Sequence, residues 1–409
     1  MDKTPKSLRL HIALFGRTNV GKSSFLNLVS GQDTVITSPI PGTTTDAVEK
    51  NMELLPIGPV VFIDTAGFED TSALGDERVR RSLKVFDRAD VALVLCEAGV
   101  CGKAERDIFA EAEKRKLPVV AVISKSDLSE PDESFCKELE ALGALDVISV
   151  SGTDFANREK YLSRLKQALI KVLPDDFIVP PPLLGDLVSP GSLVVLIVPI
   201  DIEAPKGRLI MPQVQTIRDA LDRDAMIFTV KANEYPQALT LLNRKPDLVI
   251  CDSQVVHQMV KNTPSDIPCT TFSILFSRLK GDMPLLAAGT RAISQLKDHD
   301  KVLIAEACSH HAMDDDIGRV KIPRWLKECT RAELDFSFAA GRDYPENLSE
   351  FKLIVHCGGC MLNRREILSR LQAASEAGVP VTNYGMCISY TQGVLERVLS
   401  PFAAELEKK

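Results

Sequence analysis

At 409 residues the chain has room for about two to four domains of ordinary size, and a composition of 45% apolar and 26% charged residues excludes disordered and fibrous architectures. The 49 basic and 56 acidic side chains leave a net charge of -7, which excludes a body that grips a nucleic-acid backbone by bulk charge alone. No apolar run reaches the roughly 18 to 20 residues needed to cross a bilayer, and the apolar stretch 12–15 behind Lys3, Lys6 and Arg9 is too short for a signal-peptide core, so a cytoplasmic protein is expected.

Up to residue 173, short apolar runs at 10–15, 60–63, 91–95, 119–123 and 147–150 alternate with longer helix-compatible stretches, the pattern of βαβ units around a mainly parallel sheet. The amphipathic run 161–173 reads as a closing helix, and Pro174, Pro180, Pro181 and Pro182 mark a stiff linker after it. A smaller αβ region follows, with strands near 193–200, 226–230 and 248–251 and a helix near 214–221. The last region has a helix near 285–296, strands at 302–305 and 351–355, a helix near 364–374 and a final helix after Cys387. The expected fold class is α/β in three domains, at 1–173, 174–265 and 266–409.

Gly16-Arg-Thr-Asn-Val-Gly21-Lys22-Ser23 fits the pattern G-x-x-x-x-G-K-[ST] and stands between an apolar strand and a helix beginning near Ser24. Glycines there let backbone N–H groups wrap phosphates, Lys22 reaches the β and γ phosphates, and Ser23 ligates Mg2+. The expected nucleotide-binding residues of this loop are Gly16, Asn19, Val20, Gly21, Lys22, Ser23 and Ser24. Thr44, in Pro41-Gly-Thr-Thr-Thr-Asp46, offers a second hydroxyl to Mg2+ and an N–H to the γ phosphate; Asp64-Thr-Ala-Gly67 ends a strand with Asp64 aimed at the metal shell and Gly67 near the γ phosphate. Ser124-Lys125-Ser126-Asp127 and Ser151-Gly152-Thr153 end strands at the sheet edge where the base would lie, adding Lys125, Asp127, Ser151 and Gly152 to the set.

These segments resemble those of the Era and MnmE type of GTPase, which read GxxNxGKS, P-G-x-T-x-D, DTAG, NKxD and SA. The resemblance covers about residues 8–172 and departs at Ser124, where the family has Asn, and at Gly152, where it has Ala. It implies GTP hydrolysis with Lys22, Thr44 and Asn19 as the catalytic residues, and GTP over ATP because Asp127 reads the two guanine hydrogens. It also implies that Asn19 helps to hold an activating K+. Phe68 stands where many switch GTPases carry a water-orienting glutamine, so slow, K+-stimulated turnover is expected.

Ten cysteines in such a chain are expected to be reduced thiols or metal ligands. Cys96, Cys251, Cys269, Cys329 and Cys387 lie in or beside apolar runs, Cys136 in a helix and Cys101 in a loop, and all read as inert. Cys308-Ser-His310 and His356-Cys357-Gly-Gly-Cys360 differ: each follows a strand, so both should emerge at the carboxyl edge of one parallel sheet. The C-x-x-C pair is expected to open a helix whose N–H groups favour thiolates, with Gly358 and Gly359 leaving room for an inorganic centre. Three cysteines with a histidine suit zinc, and three thiolates with an exchangeable fourth ligand suit a 4Fe-4S cluster; His310, His356 and Asp315 are the candidates for that position. With zinc the chain would be an RNA-modification or ribosome-assembly GTPase, against which stand the acidic charge and only five Tyr and one Trp as stacking platforms. A redox enzyme using the cluster for electron transfer is the other alternative.

Taken whole, the sequence resembles the GTPase maturation factors of FeFe hydrogenase. The runs that carry this are Pro199-Ile-Asp201-Ile-Glu-Ala-Pro205-Lys206-Gly207-Arg208-Leu, Pro212-Gln213, Thr271-Phe-Ser-Ile-Leu-Phe, Lys280-Gly-Asp282, Asp316-Ile-Gly-Arg-Val-Lys321-Ile-Pro and the two cysteine runs, together with the GTPase segments. The resemblance implies a homodimer with a GTPase domain, a dimerisation domain and a domain binding 4Fe-4S through Cys308, Cys357 and Cys360. It further implies a scaffold that receives the diiron precursor made with two radical-SAM maturases and passes it to apo FeFe hydrogenase, with neither nucleic acid nor membrane as partner.

Overall fold

A computed structural model describes residues 4–31, 48–67, 82–179, 181–199, 209–307, 316–341 and 344–407. The chain divides into two compact units, Met1–Pro180 and Pro181–Lys409.

The first unit is built on six strands: β1 (Leu10–Phe15), β2 (Val48–Leu54), β3 (Gly58–Asp64), β4 (Val91–Glu97), β5 (Val119–Ser124) and β6 (Ala144–Ser149). Their order is β2-β3-β1-β4-β5-β6, parallel except for β2, which runs antiparallel to β3. The central strands read as unbroken apolar runs because both faces of the sheet are covered. Alternate residues feed opposite cores: Leu10, Ile12 and Leu14 point into one, Ala13 and Phe15 into the other, where Phe15 stacks on Phe86 at 3.9 Å. Helix α1 (Lys22–Ser30) follows β1, and helix α2 (Arg158–Val172) buries Leu162, Leu165, Ala168, Leu169 and Val172 along one face. Arg158 of α2 donates to the carbonyls of Leu28 and Val29 at 2.7 and 2.9 Å, satisfying acceptors that the last turn of α1 leaves open.

β2 is absent from the predicted strands for a physical reason. As an edge strand of sequence VEKNMEL it buries only Leu54 and has no continuous apolar run. The order reverses at β1, flanked by β3 and β4, and at such a switch point the loops at the carboxyl ends diverge and leave a crevice for a ligand.

The second unit carries two all-parallel four-stranded sheets. One comprises β7 (Leu193–Ile197), β8 (Met226–Val230), β9 (Leu248–Cys251) and β10 (Cys269–Thr271) in the order β10-β9-β7-β8. The other comprises β11 (Lys301–Ala305), β12 (Asp335–Ala339), β13 (Leu353–His356) and β14 (Val381–Asn383) in the order β12-β11-β13-β14. A single contiguous apolar core joins both sheets, from Val194 and Leu248 to Ile304, Val355 and Phe402.

Several elements differ from expectation. β10, β12 and β14 are short edge strands, too brief or too exposed to register as apolar runs. The helix expected at 285–296 is an α-helix over Met283–Thr290 continued by a 3-10 turn over Arg291–Gln295. Cys387 lies inside the helix Tyr384–Thr391, whose N-terminus is capped by Asn383, and two short helices follow. None of the nine described cysteines forms a disulfide, and Cys329, read as inert beside an apolar run, is exposed on its helix. Among the described residues no helix is long and apolar enough to cross a membrane.

Candidate functional sites

The loop after β1 is shaped by backbone constraints. A Cβ on Gly16 would sit 2.7 Å from the Leu95 carbonyl oxygen, and Asn19 adopts φ 63°, a left-handed conformation that asparagine tolerates better than most residues. Gly21 is the N-cap of α1 and provides no side-chain cap, so the first N–H groups of the helix face the loop as an anion cradle. The Lys22 ammonium donates to the carbonyls of Gly16 and Arg17, both at 2.9 Å. Burial lowers its pKa, opposed by Asp64 and Glu105.

Ser23 donates to Asp64 Oδ2 at 3.3 Å, while Asp64 Oδ1 is buried with no hydrogen-bond partner among the described residues. Burial raises the Asp64 pKa, with Lys22 the largest opposing influence. A buried carboxylate oxygen lacking a donor, beside a hydroxyl at the mouth of an anion cradle, fits the outer shell of a Mg2+ ion. Gly67 passes so close to Thr18 that a Cβ would lie 2.2 Å from its Oγ1. Thr44 and Phe68 lie outside the described residues.

Ser124, which departs from the family asparagine, is buried, with its hydroxyl 2.6 Å from the Val20 carbonyl and 3.1 Å from that of Cys96. Its single proton ties β5 to the phosphate loop. Lys125 pairs with Glu97, which also meets Arg17 at 2.8 Å; the Lys125 hydrogen bond chiefly holds the Glu97 carboxyl below its ordinary range. Asp127 is exposed just beyond, and Ser151 is buried with its hydroxyl 3.2 Å from that of Thr153.

Gly152 replaces the family alanine because its Cβ would fall 2.9 Å from Ser24 Cβ and 3.3 Å from the Phe25 nitrogen, at the start of α1. Gly152→Ala is therefore expected to destabilise the first unit by about 1–3 kcal/mol. A thermal midpoint matching wild type would show instead that α1 can shift aside.

In the second unit β11 and β13 lie side by side, with Ala305 opposite His356, so both strands end at one edge. The Cys357 N–H donates to the Ala305 carbonyl at 2.8 Å, and the Cys357 sulphur accepts from the N–H groups of Ala307 at 3.0 Å and Gly359 at 3.4 Å. These contacts place one thiol beside the residue that precedes Cys308 in the chain. Cys308, His310 and Asp315 lie outside the described residues, as do Lys206 and Arg208. Among the described residues no three His, Cys, Asp or Glu side chains gather as a metal site.

The C-x-x-C pair does not open a helix, contrary to expectation. The helix begins at Arg364 and is capped by Asn363, whose Oδ1 accepts the Glu366 N–H at 3.0 Å; Gly359, at φ 59°, turns the chain before it. N–H donors for Cys357 therefore come from loop backbone. Gly359 also packs on Ile367, where a Cβ would lie 2.4 Å from Cδ1, whereas the Gly358 position meets nothing nearer than Ser273 Oγ at 3.8 Å.

His356 is buried. Its Nε2 faces Arg370 Nη1 at 3.2 Å and must accept, since a guanidinium only donates, which leaves Nδ1 to donate to the Cys357 carbonyl at 2.7 Å. Burial and then Arg370 push its pKa down to about 4.

Two groups near this edge were not singled out from sequence. Glu306, buried just after β11, accepts from Arg319 at 3.0 and 3.2 Å. Lys280 donates to the carbonyls of Gly359, Cys360 and Leu362 at 3.3, 3.1 and 2.8 Å; burial lowers its pKa to about 8, opposed by Cys360 and Cys357. The runs Asp316-Ile-Gly-Arg319 and Lys280-Gly-Asp282 were the available signals.

A mainly parallel sheet that reverses at β1, with a phosphate cradle there and the Ser23–Asp64 pair beside it, defines a P-loop GTPase domain, joined here to a two-sheet α/β unit. Family models described as hydrogen maturase F dimerization domain and hydrogen maturase F tetramerization domain match residues 183–281 and 284–401, and one described as 50S ribosome-binding GTPase matches residues 11–125. The chain belongs to the hydrogen maturase F family.

The GTPase Der of Kosmotoga olearia is 32% identical over 197 residues, covering 45% of this chain and 43% of its own length. The tRNA modification GTPase MnmE of a Synechococcus species is 41% identical over 126 residues, covering 30% and 26%. The chain thus spans less than half the length of these relatives. Era of Aquifex aeolicus, a solved structure, shows 22% identity and a TM-score of 0.35 over 57% of this chain and 98% of its own.

Proposed function

We propose that this protein is a GTP-hydrolysing scaffold that binds a 4Fe-4S cluster through Cys308, Cys357 and Cys360. It would receive the diiron precursor of the FeFe-hydrogenase active site from the two radical-SAM maturases and deliver it to the apo-hydrogenase in the cytoplasm. The observation that carries this is the Cys357 sulphur, held by two backbone N–H groups at the sheet edge where the strand leading to Cys308 also ends.

In the GTPase domain, Lys22 would exchange the Gly16 and Arg17 carbonyls for phosphate oxygens, and Asp127 would read the guanine edge. Mg2+, held by Ser23 and Thr44 with Asp64 behind a water, would neutralise phosphate charge. Asn19 would help to hold K+, so faster phosphate release in K+ than in Na+ buffer is expected; equal rates would remove that role.

A cluster bound by three thiolates offers one exchangeable iron position. His310 or Asp315 would occupy it at rest, since both nitrogens of His356 are already engaged. Self-association as a homodimer has a physical basis in β8, an edge strand with Met226 exposed, and in Val214 and Leu221, exposed on the helix Met211–Asp222.

Anaerobic reconstitution tests the proposal directly. A brown protein with broad absorption near about 400 nm that activates apo-hydrogenase is expected, whereas a colourless zinc-loaded protein would overturn it. Transfer rates that coincide with GTP, GDP and no nucleotide would reject a role for the nucleotide in delivery.

A further inference from the structure

Lys280 ends the helix Phe272–Lys280 and is almost completely buried, at 3% exposure. An ammonium has three donors, and here all three go to main-chain carbonyls of one loop, those of Gly359, Cys360 and Leu362. The lacing is reciprocal: just after the loop, Arg364 donates back to the carbonyls of Leu279 and Gly281 at 3.2 and 3.0 Å. Among the described residues no carboxylate pairs with Lys280, which instead lines one cavity together with Cys357 and Gly358. A buried cation without a counter-charge is costly, and carbonyl dipoles alone repay that only in part. Its neighbourhood is therefore built for a negative charge to arrive.

We infer that Lys280 is the positioning residue of the C-x-x-C loop: it fixes the turn that presents Cys357 and Cys360 and supplies the buried positive charge facing their thiolates. The positioning half stands alone, and the charge half rests on the proposed cluster.

The test uses the full-length chain with Lys280→Met and Lys280→Arg. In the metal-free protein, amide exchange across residues 357–363 is expected to quicken about tenfold or more in Lys280→Met while β11 and β13 stay protected. After anaerobic reconstitution, Lys280→Met should hold less iron and show a more negative reduction potential, because losing a nearby cation disfavours the reduced, more negative cluster. Lys280→Arg, which keeps charge and donors, should restore the potential. Wild-type exchange together with a wild-type potential in Lys280→Met would overturn the inference. If Lys280→Met does not fold by circular dichroism, Lys280→Gln takes its place, and equal potentials in Lys280→Gln and Lys280→Arg would be fatal. A wild-type protein that takes up no iron would sink the cluster proposal and the charge half, leaving amide exchange to judge the positioning half.

Discussion

Replacing Lys22 by alanine is expected to lower single-turnover GTP hydrolysis by about 10²- to 10³-fold, the range seen when one preorganised donor to a developing charge is removed. The ammonium is largely buried and already held by two loop carbonyls at 2.9 Å, so its position is set before nucleotide arrives. Burial alone would favour the neutral amine, but Asp64 and Glu105 oppose that. Stability should also fall, by about 1–3 kcal/mol, because the Gly16 and Arg17 carbonyls lose their donor and the buried Asp64 loses its nearby cation. Phosphate release measured beside thermal denaturation separates the two effects. A variant as active as wild type would exclude Lys22 from the reaction.

The cysteine substitutions should separate ligation from folding. Cys357→Ala removes the acceptor of the Ala307 and Gly359 N–H groups, so it should lose the brown colour and also cost about 1–3 kcal/mol of stability in the metal-free protein. At Cys360 the lacing runs through the carbonyl, which accepts from Lys280 and survives substitution, so Cys360→Ala should lose colour with its metal-free stability intact. Cys308→Ala should likewise lose colour. All three should fail to activate apo-hydrogenase. Iron retained at wild-type stoichiometry in all three would end the cluster assignment.

Much of the first unit was legible in the amino-acid order because its signals are local. The apolar runs of β1, β3, β4 and β5 are buried on both faces and announce themselves, and the phosphate loop is a contiguous set of backbone requirements, with Gly16, Asn19 and Gly21 all at positive φ. Edge strands were harder to see. β10 and β14 are only three residues long, and β2 and β12 each bury a single side chain, so none of the four shows as an extended apolar run. The helix after Cys360 was expected too early because the C-x-x-C pattern does not reveal that Asn363 caps it and that Gly359 turns the chain first.

Amino-acid order alone determined the chemistry available: a phosphate cradle with its lysine, serine and aspartate, and cysteines following two strands of one predicted parallel region. It also suffices to pair those strand ends in outline, since parallel strands share a carboxyl edge. Tertiary structure alone decided what surrounds that chemistry. It showed that Ser124 serves as the tie to Val20, that Gly152 is required by the nearness of Ser24, that His356 is taken up by Arg370, and that Lys280 laces the loop carrying Cys357 and Cys360. Each of those contacts joins residues at least 14 positions apart in the chain, as for His356 and Arg370. Nothing in a short window of sequence encodes them, because they arise only when burial forces distant polar groups to satisfy one another.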